Sequence, residues 1–222
     1  MRTPKISIVI PCYWASNELI KITRNCLESM ELELPDEVIV VDDGSPLSMS
    51  ELLAEMGTIL PQTIVVPLEK NQGFPAAVNT GLEVASGDIL IISNNDITFT
   101  PGWLTGLLKP LQEGYSISSV VTSDQGWETR DEITENDRFG SLWAMKREVY
   151  DTLGGLDEQF GTGTFEDADY YLRAKEAGFK IGKNWNTLVE HIGRATFDKV
   201  DPNHAIFEEN KHKFIAKHGR LI

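Results

Sequence analysis

The chain has 222 residues and a mass of 24.8 kDa, with 41% hydrophobic and 24% charged residues, a composition typical of one globular domain. Its 34 acidic and 20 basic side chains give a formal net charge of -14, which disfavours nucleic-acid binding through a basic surface. The longest apolar runs are strand-sized, shorter than the roughly 20 residues of a membrane-spanning helix. With no signal-peptide pattern either, we expect a cytoplasmic protein without a transmembrane segment.

The first half of the chain alternates short β-branched runs with helical patterns. This alternation is typical of βα units, whose strands form a parallel sheet that is buried on both faces. Ligands bind such sheets beyond the carboxyl ends of the strands, so the residues after each run are candidates for a site. The expected strands are Ile6–Ile10, Glu37–Val41, Thr63–Val66 and Ile89–Ile92, and the expected helices are Asn17–Met30, Ser48–Met56 and Pro75–Ala85.

The second half is less regular and contains a polar stretch, Asp124 to Arg138, that lacks apolar periodicity. We expect this stretch to be a mobile surface loop. Gly178 occupies the position of a helix-terminating glycine. The expected strands are Ile117–Thr122, Ser141–Met145 and Lys180–Val189, and the expected helices are Arg147–Leu153, Phe165–Ala177, Asn203–His218 and one that follows Pro101 and ends near Gln112.

Two carboxylates end the second expected strand. Asp42 and Asp43 precede Gly44 and Ser45, a composition that favours a sharp turn at the carboxyl edge of the sheet. One carboxylate could accept a hydrogen bond from a base or a ribose hydroxyl. An Asx-turn that caps the next helix explains the same residues, and a motif this short does not decide between the two interpretations.

The segment Asn71–Gly81 places a turn glycine and Pro75 at the start of a helix of small residues. Small side chains let a helix approach the sheet or a ligand closely. Asn79 lies one helical turn in, on a face that could look toward the site. An ordinary, well-capped helix is the alternative interpretation, and both can hold together.

Asp96 and His191 each follow an expected strand, and each could bind a metal ion. A divalent cation bound to a diphosphate needs an oxygen ligand at the mouth of the sheet, and Asp96 could supply it. A neutral imidazole of His191 could complete such a site with phosphate oxygens. Alternatively, Asp96 belongs to a polar turn at the strand end, and His191 is a packed or surface residue.

Glu166, Asp167 and Asp169 fall in the first turn of a predicted helix, where the positive end of the helix dipole favours ionised carboxylates. An ionised carboxylate in a pocket can act as a general base. Acidic residues in a first turn also stabilise helices without any catalytic role.

Together these residues resemble the family 2 glycosyltransferases, which have the GT-A fold. The resemblance rests on Ile6–Tyr13, Val38–Pro46, Asn71–Ile97 and Gly154–His191, which follow the family's order. An Asn-Asn-Asp triplet such as Asn94–Asp96 is similar to the one found in the rhamnosyltransferase-like branch. The processive synthases' Gln-X-X-Arg-Trp motif is absent, which favours transfer of a single sugar.

The resemblance implies an α/β chain with one GT-A domain over residues 1–222. Its central sheet would be Rossmann-like, mostly parallel and flanked by helices. Residues 1–98 would form the nucleotide-sugar-binding half, 99–192 the acceptor-binding and catalytic half, and 193–222 a helical tail.

The resemblance also implies how the donor nucleotide would bind. Asp43 would contact the nucleobase, and Asn95 would contact the ribose or the donor sugar. The base pocket would be lined by Pro11, Cys12 and Tyr13.

By the same resemblance, Asp96 and His191 would bind Mn²⁺ or Mg²⁺. Asp167 would be the catalytic base, and Glu166 would orient it or touch the sugar. Asn94 departs from the family, because many members have Asp at this position. The metal would then meet only one carboxylate of the triplet, so its affinity without nucleotide should be poor.

The expected activity is inverting, metal-dependent transfer of one sugar from a nucleotide-diphosphate sugar, with UDP- or dTDP-sugars favoured. The acceptor would be a hydroxyl of a glycan, a lipid-linked molecule or another compound, so membrane contact would be peripheral. A non-catalytic domain that binds nucleotide sugars or glycans stays open as an alternative. A dinucleotide-dependent oxidoreductase is disfavoured, because no G-x-G-x-x-G follows the first strand. A nucleotidyltransferase is also disfavoured, since no glycine loop rich in lysine and arginine lies near the amino terminus.

Overall fold

A computed structural model describes residues 2–47, 60, 62–126, 128–193 and 204–221. The predicted helix Ser48–Met56 lies outside the described residues. The strands are β1 (Ile6–Cys12), β2 (Glu37–Asp42), β3 (Thr63–Pro67), β4 (Ile89–Ser93), β5 (Ile97–Thr98), β6 (Ile117–Thr122), β7 (Ile133–Glu135), β8 (Leu142–Lys146) and β9 (Ile181–His191). The helices are α1 (Asn17–Ser29), α2 (Phe74–Val84), α3 (Trp103–Gln112), α4 (Arg147–Leu153), α5 (Glu166–Glu176) and α6 (Ala205–His218).

The first four strands form the predicted parallel sheet. β1 pairs in parallel with both β2 and β4, and β2 pairs in parallel with β3. All five residues of β4 are buried. Successive side chains of β1 enter different core clusters: Ile8 and Ile10 pack in one cluster, and Val9 packs in the other. Strands β1, β2 and β4 are therefore buried on both faces, as their apolar runs predict, whereas Ile64 and Val65 of the edge strand β3 are exposed.

The second half of the sheet contains both orientations. β8 is antiparallel to β4 and β6, while β6 and β9 are parallel to each other. The short strands β5 and β7 are antiparallel to β9. The resulting order is β3-β2-β1-β4-β8-β6-β9-β5, with β7 beside β9. The GT-A-type α/β fold and the mostly parallel sheet are confirmed, with three strands running against the rest.

The polar stretch 124–138, predicted as a mobile surface loop, contains a short strand. Ile133–Glu135 forms β7, which pairs with residues 182–184 of β9. The Trp185 indole N–H donates to the Thr134 hydroxyl over 2.7 Å, and the Arg130 guanidinium lies 4.0 Å from the Trp185 ring centroid. A strand of three residues is too short to show a period-2 pattern, which is why the prediction missed it.

Helix α2 lies very close to the sheet, as its small residues predict. It follows Gly73, which adopts a φ of +93°, and has Pro75 in its first turn. A Cβ atom at Gly81 would lie 2.3 Å from Cγ1 of Val9, so a larger residue there would push the helix away from β1. This packing directs the amino-terminal end of α2 toward the carboxyl ends of β1 and β2.

The carboxyl-terminal helix α6 packs against the start of α5. Asn210 and Phe214 are its buried residues. Lys217 and His218 both lie within hydrogen-bonding distance of Asp169 Oδ1, at 2.6 Å and 2.8 Å. The predicted division of the chain near residues 98 and 192 remains a prediction. In the described part of the chain, no helix is long and apolar enough to span a membrane.

Candidate active site

The candidate active site is a cavity of about 830 Å³ beyond the carboxyl ends of the central strands. That volume is within the usual range of small-molecule sites. Among the described residues, the cavity wall includes every predicted site residue except Asn79: Pro11, Cys12, Tyr13, Asp43, Asn95, Asp96, Glu166, Asp167 and His191. The topology explains this convergence, because β1, β2, β4 and β9 all end at the same edge of the sheet.

Asp43 is buried at the end of β2 and holds the turn before α2. Its Oδ1 and Oδ2 accept hydrogen bonds from the backbone N–H groups of Gln72 and Gly73, at 2.6 and 2.9 Å. Burial raises the pKa of Asp43, although these two hydrogen bonds oppose the shift. The neighbouring Asp42 Oδ1 accepts from the Ser45 N–H, three residues on, over 2.9 Å; the helix that an Asx-turn here would cap lies outside the described residues. Asp43 therefore joins two strand-end loops at the cavity wall.

Asn95 also lies on the cavity wall, but its amide is engaged in the core. Nδ2 donates to the Thr23 hydroxyl over 2.9 Å, and the Trp14 indole N–H donates to the same oxygen over 3.0 Å. These bonds fix the orientation of the amide. Because Nδ2 is bonded to Thr23, Oδ1 is the amide atom with which Asn95 could contact a ligand.

Asp96 and His191 lie side by side at the cavity wall, where the sequence places both strand ends. His191 Nε2 lies 3.1 Å from Asp96 Oδ1, and both side chains are about 7% exposed. On the other side of the ring, Nδ1 lies 3.2 Å from Asp124 Oδ1 and 3.1 Å from the Ser141 hydroxyl. Burial lowers the pKa of His191, but the carboxylates of Asp96 and Asp124 outweigh it and the net shift is upward.

Asp96 and His191 fit a divalent cation as a pair of ligands. Asp96 Oδ1 is buried and has no hydrogen bond of good geometry among the described residues. Its 3.1 Å separation from Nε2 suits two neighbouring ligands of one cation with bonds of about 2.0–2.2 Å. No group of three or more His, Cys, Asp or Glu side chains in the described part of the chain forms a metal site by itself. The other ligands would have to come from elsewhere, such as a bound diphosphate.

Glu166 and Asp167, at the start of α5, also line the cavity. Glu166 Oε2 is buried without a hydrogen-bond partner among the described residues, and Asp167 Oδ1 accepts from the Ala168 N–H over 2.7 Å. Burial, and then the adjacent Asp167 carboxylate, raise the pKa of Glu166 to about 8. Burial also raises the pKa of Asp167, although the Ala168 N–H and the positive charge of Arg138 oppose it. Burial therefore shifts both carboxyl groups toward the protonated form, while the Ala168 N–H and Arg138 favour the charged form of Asp167, the form that can accept a proton.

The charge of the cavity wall is almost entirely acidic. Among its described residues are five carboxyl groups and one imidazole, but no lysine or arginine; the carboxyl groups belong to Asp43, Asp96, Asp124, Glu166 and Asp167. Such a wall repels an anionic ligand, and a bound cation would offset part of that repulsion.

Asn79 does not reach the cavity. Its Nδ2 donates to the Leu156 carbonyl over 2.9 Å, and its Oδ1 accepts from the Leu156 N–H over 2.8 Å. A Cβ atom at Gly155 would lie only 2.1 Å from Asn79 Oδ1. The Asn79 side chain therefore joins α2 to the loop before α5. This corrects the predicted position of Asn79 in the donor site, because the helix face that carries Asn79 packs against residues 155–158.

Asp124, Ser141 and Phe207 are among the cavity residues that were not singled out from the sequence. Asp124 and Ser141 orient the His191 ring, and Phe207 reaches the wall from α6. A histidine that binds a metal commonly donates its other ring N–H to a carboxylate. The prediction that His191 binds a metal therefore implies a carboxylate partner for its second ring nitrogen. Nothing in the local sequence shows that Asp124, 67 positions away, supplies it.

Comparison with known proteins shows relatives among glycosyltransferases. An uncharacterised glycosyltransferase of Bacillus subtilis strain 168, YwdF, is 28% identical over 190 residues, 77% of this chain and 68% of that protein. An undecaprenyl-phosphate 4-deoxy-4-formamido-L-arabinose transferase of Yersinia enterocolitica is 35% identical over 119 residues. That match covers 53% of this chain and only 36% of the Yersinia protein.

Solved structures share the fold at low identity. A mannosyltransferase of Pyrobaculum calidifontis, in complex with GDP-Man and Mn²⁺, matches with a TM-score of 0.76 and 20% identity, over 100% of this chain and 66% of that one. Residues 1–349 of S. aureus TarS, in complex with UDP, match with a TM-score of 0.67 and 17% identity, over 88% of this chain and 63% of that one. Both likenesses concern the fold.

The family assignment rests on the larger part of the chain. The family model described as glycosyl transferase family 2 matches residues 7–165, which include β1 to β8, Asp43 and Asp96. The match ends just before Glu166, and β9 with His191 lies beyond it. The chain belongs to glycosyl transferase family 2.

Proposed function

We propose that this chain is a metal-dependent, inverting glycosyltransferase that moves one sugar from a nucleotide-diphosphate sugar to a hydroxyl group. The observation that carries the proposal is the acidic cavity itself. A diphosphate is strongly anionic, and the described cavity wall offers it no lysine or arginine but does offer a buried oxygen of Asp96 that has no hydrogen bond of good geometry and lies 3.1 Å from His191 Nε2. This combination favours an anionic ligand that arrives with a divalent cation.

Asp96 and His191 would hold the cation on the donor side. Mn²⁺ or Mg²⁺ bound there would stabilise the negative charge that develops on the leaving diphosphate. Asp124 would accept a hydrogen bond from His191 Nδ1–H, which would leave the Nε2 lone pair available to the cation that Asp96 binds. Pro11, Cys12 and Tyr13 would line the base pocket.

Asp167 would take the proton of the acceptor hydroxyl as that oxygen attacks the anomeric carbon. A single displacement inverts the configuration there and needs no covalent intermediate. Protonated Glu166 supports this role, because it adds no second negative charge beside Asp167 at neutral pH. It can also donate a hydrogen bond to a sugar oxygen.

The donor and acceptor are proposed at the level of chemical class. UDP- or dTDP-sugars are the favoured donors, and assignment to the rhamnosyltransferase-like branch remains a prediction. The relative from Yersinia is named for transfer to undecaprenyl phosphate, which supports a lipid-linked acceptor and peripheral membrane contact here. A glycan hydroxyl fits the same cavity chemistry.

A non-catalytic nucleotide-sugar-binding domain is the second candidate. Asn94 supports it, since this amide stands where many family members have a carboxylate. The two candidates differ in turnover alone: both bind a nucleotide diphosphate with metal, but only the enzyme transfers or hydrolyses the sugar.

The first experiment measures the melting temperature with UDP, GDP, dTDP and CMP, each with and without Mn²⁺. We expect one nucleotide to raise it only when metal is present, because a ligand stabilises the folded state by mass action. Asp96→Ala should lose that metal-dependent shift. Asp151→Ala removes an exposed carboxylate from α4 and should keep it. A nucleotide shift that is equal without Mn²⁺ and in Asp96→Ala would contradict the metal site.

A further inference from the structure

The turn that leads into Glu166 has a backbone conformation that needs support. Gly161, Gly163, Thr164 and Phe165 all have positive φ, at +53°, +124°, +76° and +70°. Residues with side chains rarely adopt this conformation, so Thr164 and Phe165 keep it only if the surroundings hold them. Because Phe165 immediately precedes Glu166, the conformation of this turn sets where α5 presents its two carboxyl groups.

One side of the turn rests on the donor half of the cavity. A Cβ atom at Gly73 would lie 2.1 Å from the Gly161 carbonyl oxygen, so the two backbones touch. Gly73 is itself fixed by its hydrogen bond to Asp43. This contact limits movement of the turn in one direction only.

The opposite side is held by Asn210 of α6. The side chain is about 1% exposed, and its Nδ2 donates to the carbonyls of Phe160 and Gly163, each over 2.7 Å. Both amide hydrogens are used in these two bonds. Lys213 Nζ donates to Asn210 Oδ1 over 3.2 Å, which fixes the NH₂ group on the side of the turn.

Aromatic contacts join the same two elements. The ring of Phe165 lies 5.2 Å from that of Phe207 and 5.3 Å from that of Phe214, both on α6. Phe207 also lines the cavity. Helix α6 therefore contacts the turn through hydrogen bonds and through packing, although it lies outside the span that the family model matches.

We infer that Asn210 is a positioning residue for the sugar-transfer step: its amide clamps the Gly161–Phe165 turn and so holds Glu166 and Asp167 against the bound acceptor. The inference rests on the proposed function. It predicts a defect in turnover rather than in donor binding, because Asn210 contacts the catalytic side and not the strand-end residues of the donor side.

The test compares Asn210→Ala with Asn184→Ala. Asn184 is an equally buried asparagine whose Nδ2 donates to the Gly106 carbonyl, outside the cavity. We expect Asn210→Ala to lower kcat by about ten- to a hundredfold, the usual effect of a small misplacement of catalytic groups. The Kd for the nucleotide diphosphate with Mn²⁺, measured by calorimetry, should stay unchanged. Asn184→Ala should lose stability but retain kcat.

A milder pair keeps the test decisive where Asn210→Ala does not fold. Lys213→Met removes the group that orients the Asn210 amide, and Lys211→Met makes the same charge change on α6 at a residue paired with Glu208. We expect kcat to fall in Lys213→Met only. Equal kcat values in this pair, or parental kcat in folded Asn210→Ala, would overturn the inference alone. A parent protein that binds nucleotide but shows no turnover would contradict the proposed function and the inference together.

Discussion

At the level of single residues, the two adjacent carboxyl groups at the start of α5 differ in their hydrogen bonding. Glu166 has a buried, unpaired Oε2, whereas Asp167 Oδ1 accepts a backbone hydrogen bond. The Ala168 N–H stabilises a negative charge on Asp167, whereas at Glu166 burial and the Asp167 carboxylate outweigh the backbone hydrogen bonds at Glu166 and Thr164 and raise the pKa. The two neighbouring carboxyl groups thus differ in what stabilises their charged form, although burial raises the pKa of both.

Replacement of Asp167 tests the proposed base directly. Asp167→Asn keeps the size of the side chain but cannot accept the acceptor proton, so we expect turnover to fall by about a hundredfold or more. Donor binding should persist, because the donor-side ligands are untouched. Steady-state kinetics and calorimetric nucleotide binding measure the two effects. If Asp167→Asn transfers sugar at the parental rate, the base assignment is wrong.

Replacement of Glu166 tests the raised pKa through stability. The folded chain keeps the Glu166 proton until its pKa of about 8, whereas the unfolded chain releases it near the ordinary value of 4.5. Between these values the unfolded state binds fewer protons, so the contribution of Glu166 to stability is present at low pH and lost as pH rises. Glu166→Gln cannot ionise. The free energy of unfolding of Glu166→Gln, relative to that of the parent, should therefore increase from pH 5 to pH 8. Urea titrations at the two pH values measure this difference.

The control for this measurement is Glu176→Gln, which changes an exposed glutamate on the same helix. It should keep the pH dependence of the parent. A constant difference in unfolding free energy between Glu166→Gln and the parent at both pH values would show that the pKa of Glu166 is not raised.

At the scale of elements, α2 and the loop before α5 behave as one unit. Asn79 makes two hydrogen bonds with the Leu156 backbone, and its Nδ2 also donates to Glu158 over 2.9 Å. Sequence reasoning placed this asparagine near the donor because it considered the helix face without its tertiary neighbour. The face packs against another loop, so the polar side chain serves the fold.

Asn79→Ala should therefore destabilise the protein without weakening nucleotide binding. The substitution leaves the N–H and the carbonyl of Leu156 without their Asn79 partners. Each unpaired group costs about 1–3 kcal/mol of stability where it is buried. The control is Thr80→Ala, because the Thr80 hydroxyl donates to the Ala76 carbonyl of its own helix. Chemical denaturation and nucleotide titration measure the two effects. A large loss of nucleotide affinity in folded Asn79→Ala would show that Asn79 contributes to nucleotide binding after all.

At the scale of the whole molecule, the net charge of -14 and the acidic cavity act in the same direction. Both repel an anionic donor at long range, and salt screens that repulsion over a Debye length of about 10 Å at 0.1 M. A bound cation removes part of the repulsion locally. Charge therefore restricts which ligands enter and makes the metal part of donor recognition.

Salt should then strengthen metal-free binding of the nucleotide diphosphate. We expect its Kd to decrease as sodium chloride rises from low to physiological concentration, the opposite of a basic site. Mn²⁺ should reduce this salt dependence. Calorimetric titrations at several ionic strengths provide the test, with an uncharged nucleoside as the control ligand. Weaker binding at higher salt would mean that a positive local field dominates the cavity.

The sequence by itself determined the parallel strands β1 to β4, since continuous β-branched runs between helical patterns are stable only in a sheet covered on both faces. It also located the strand-end residues Asp43, Asp96 and His191, because parallel strands end at one edge. The tertiary structure alone decided the antiparallel orientation of β8, the pairing of β7 and the support of His191 by Asp124. The physical reason is the same throughout: these features depend on contacts between residues distant in the chain, and local periodicity carries no information about such partners.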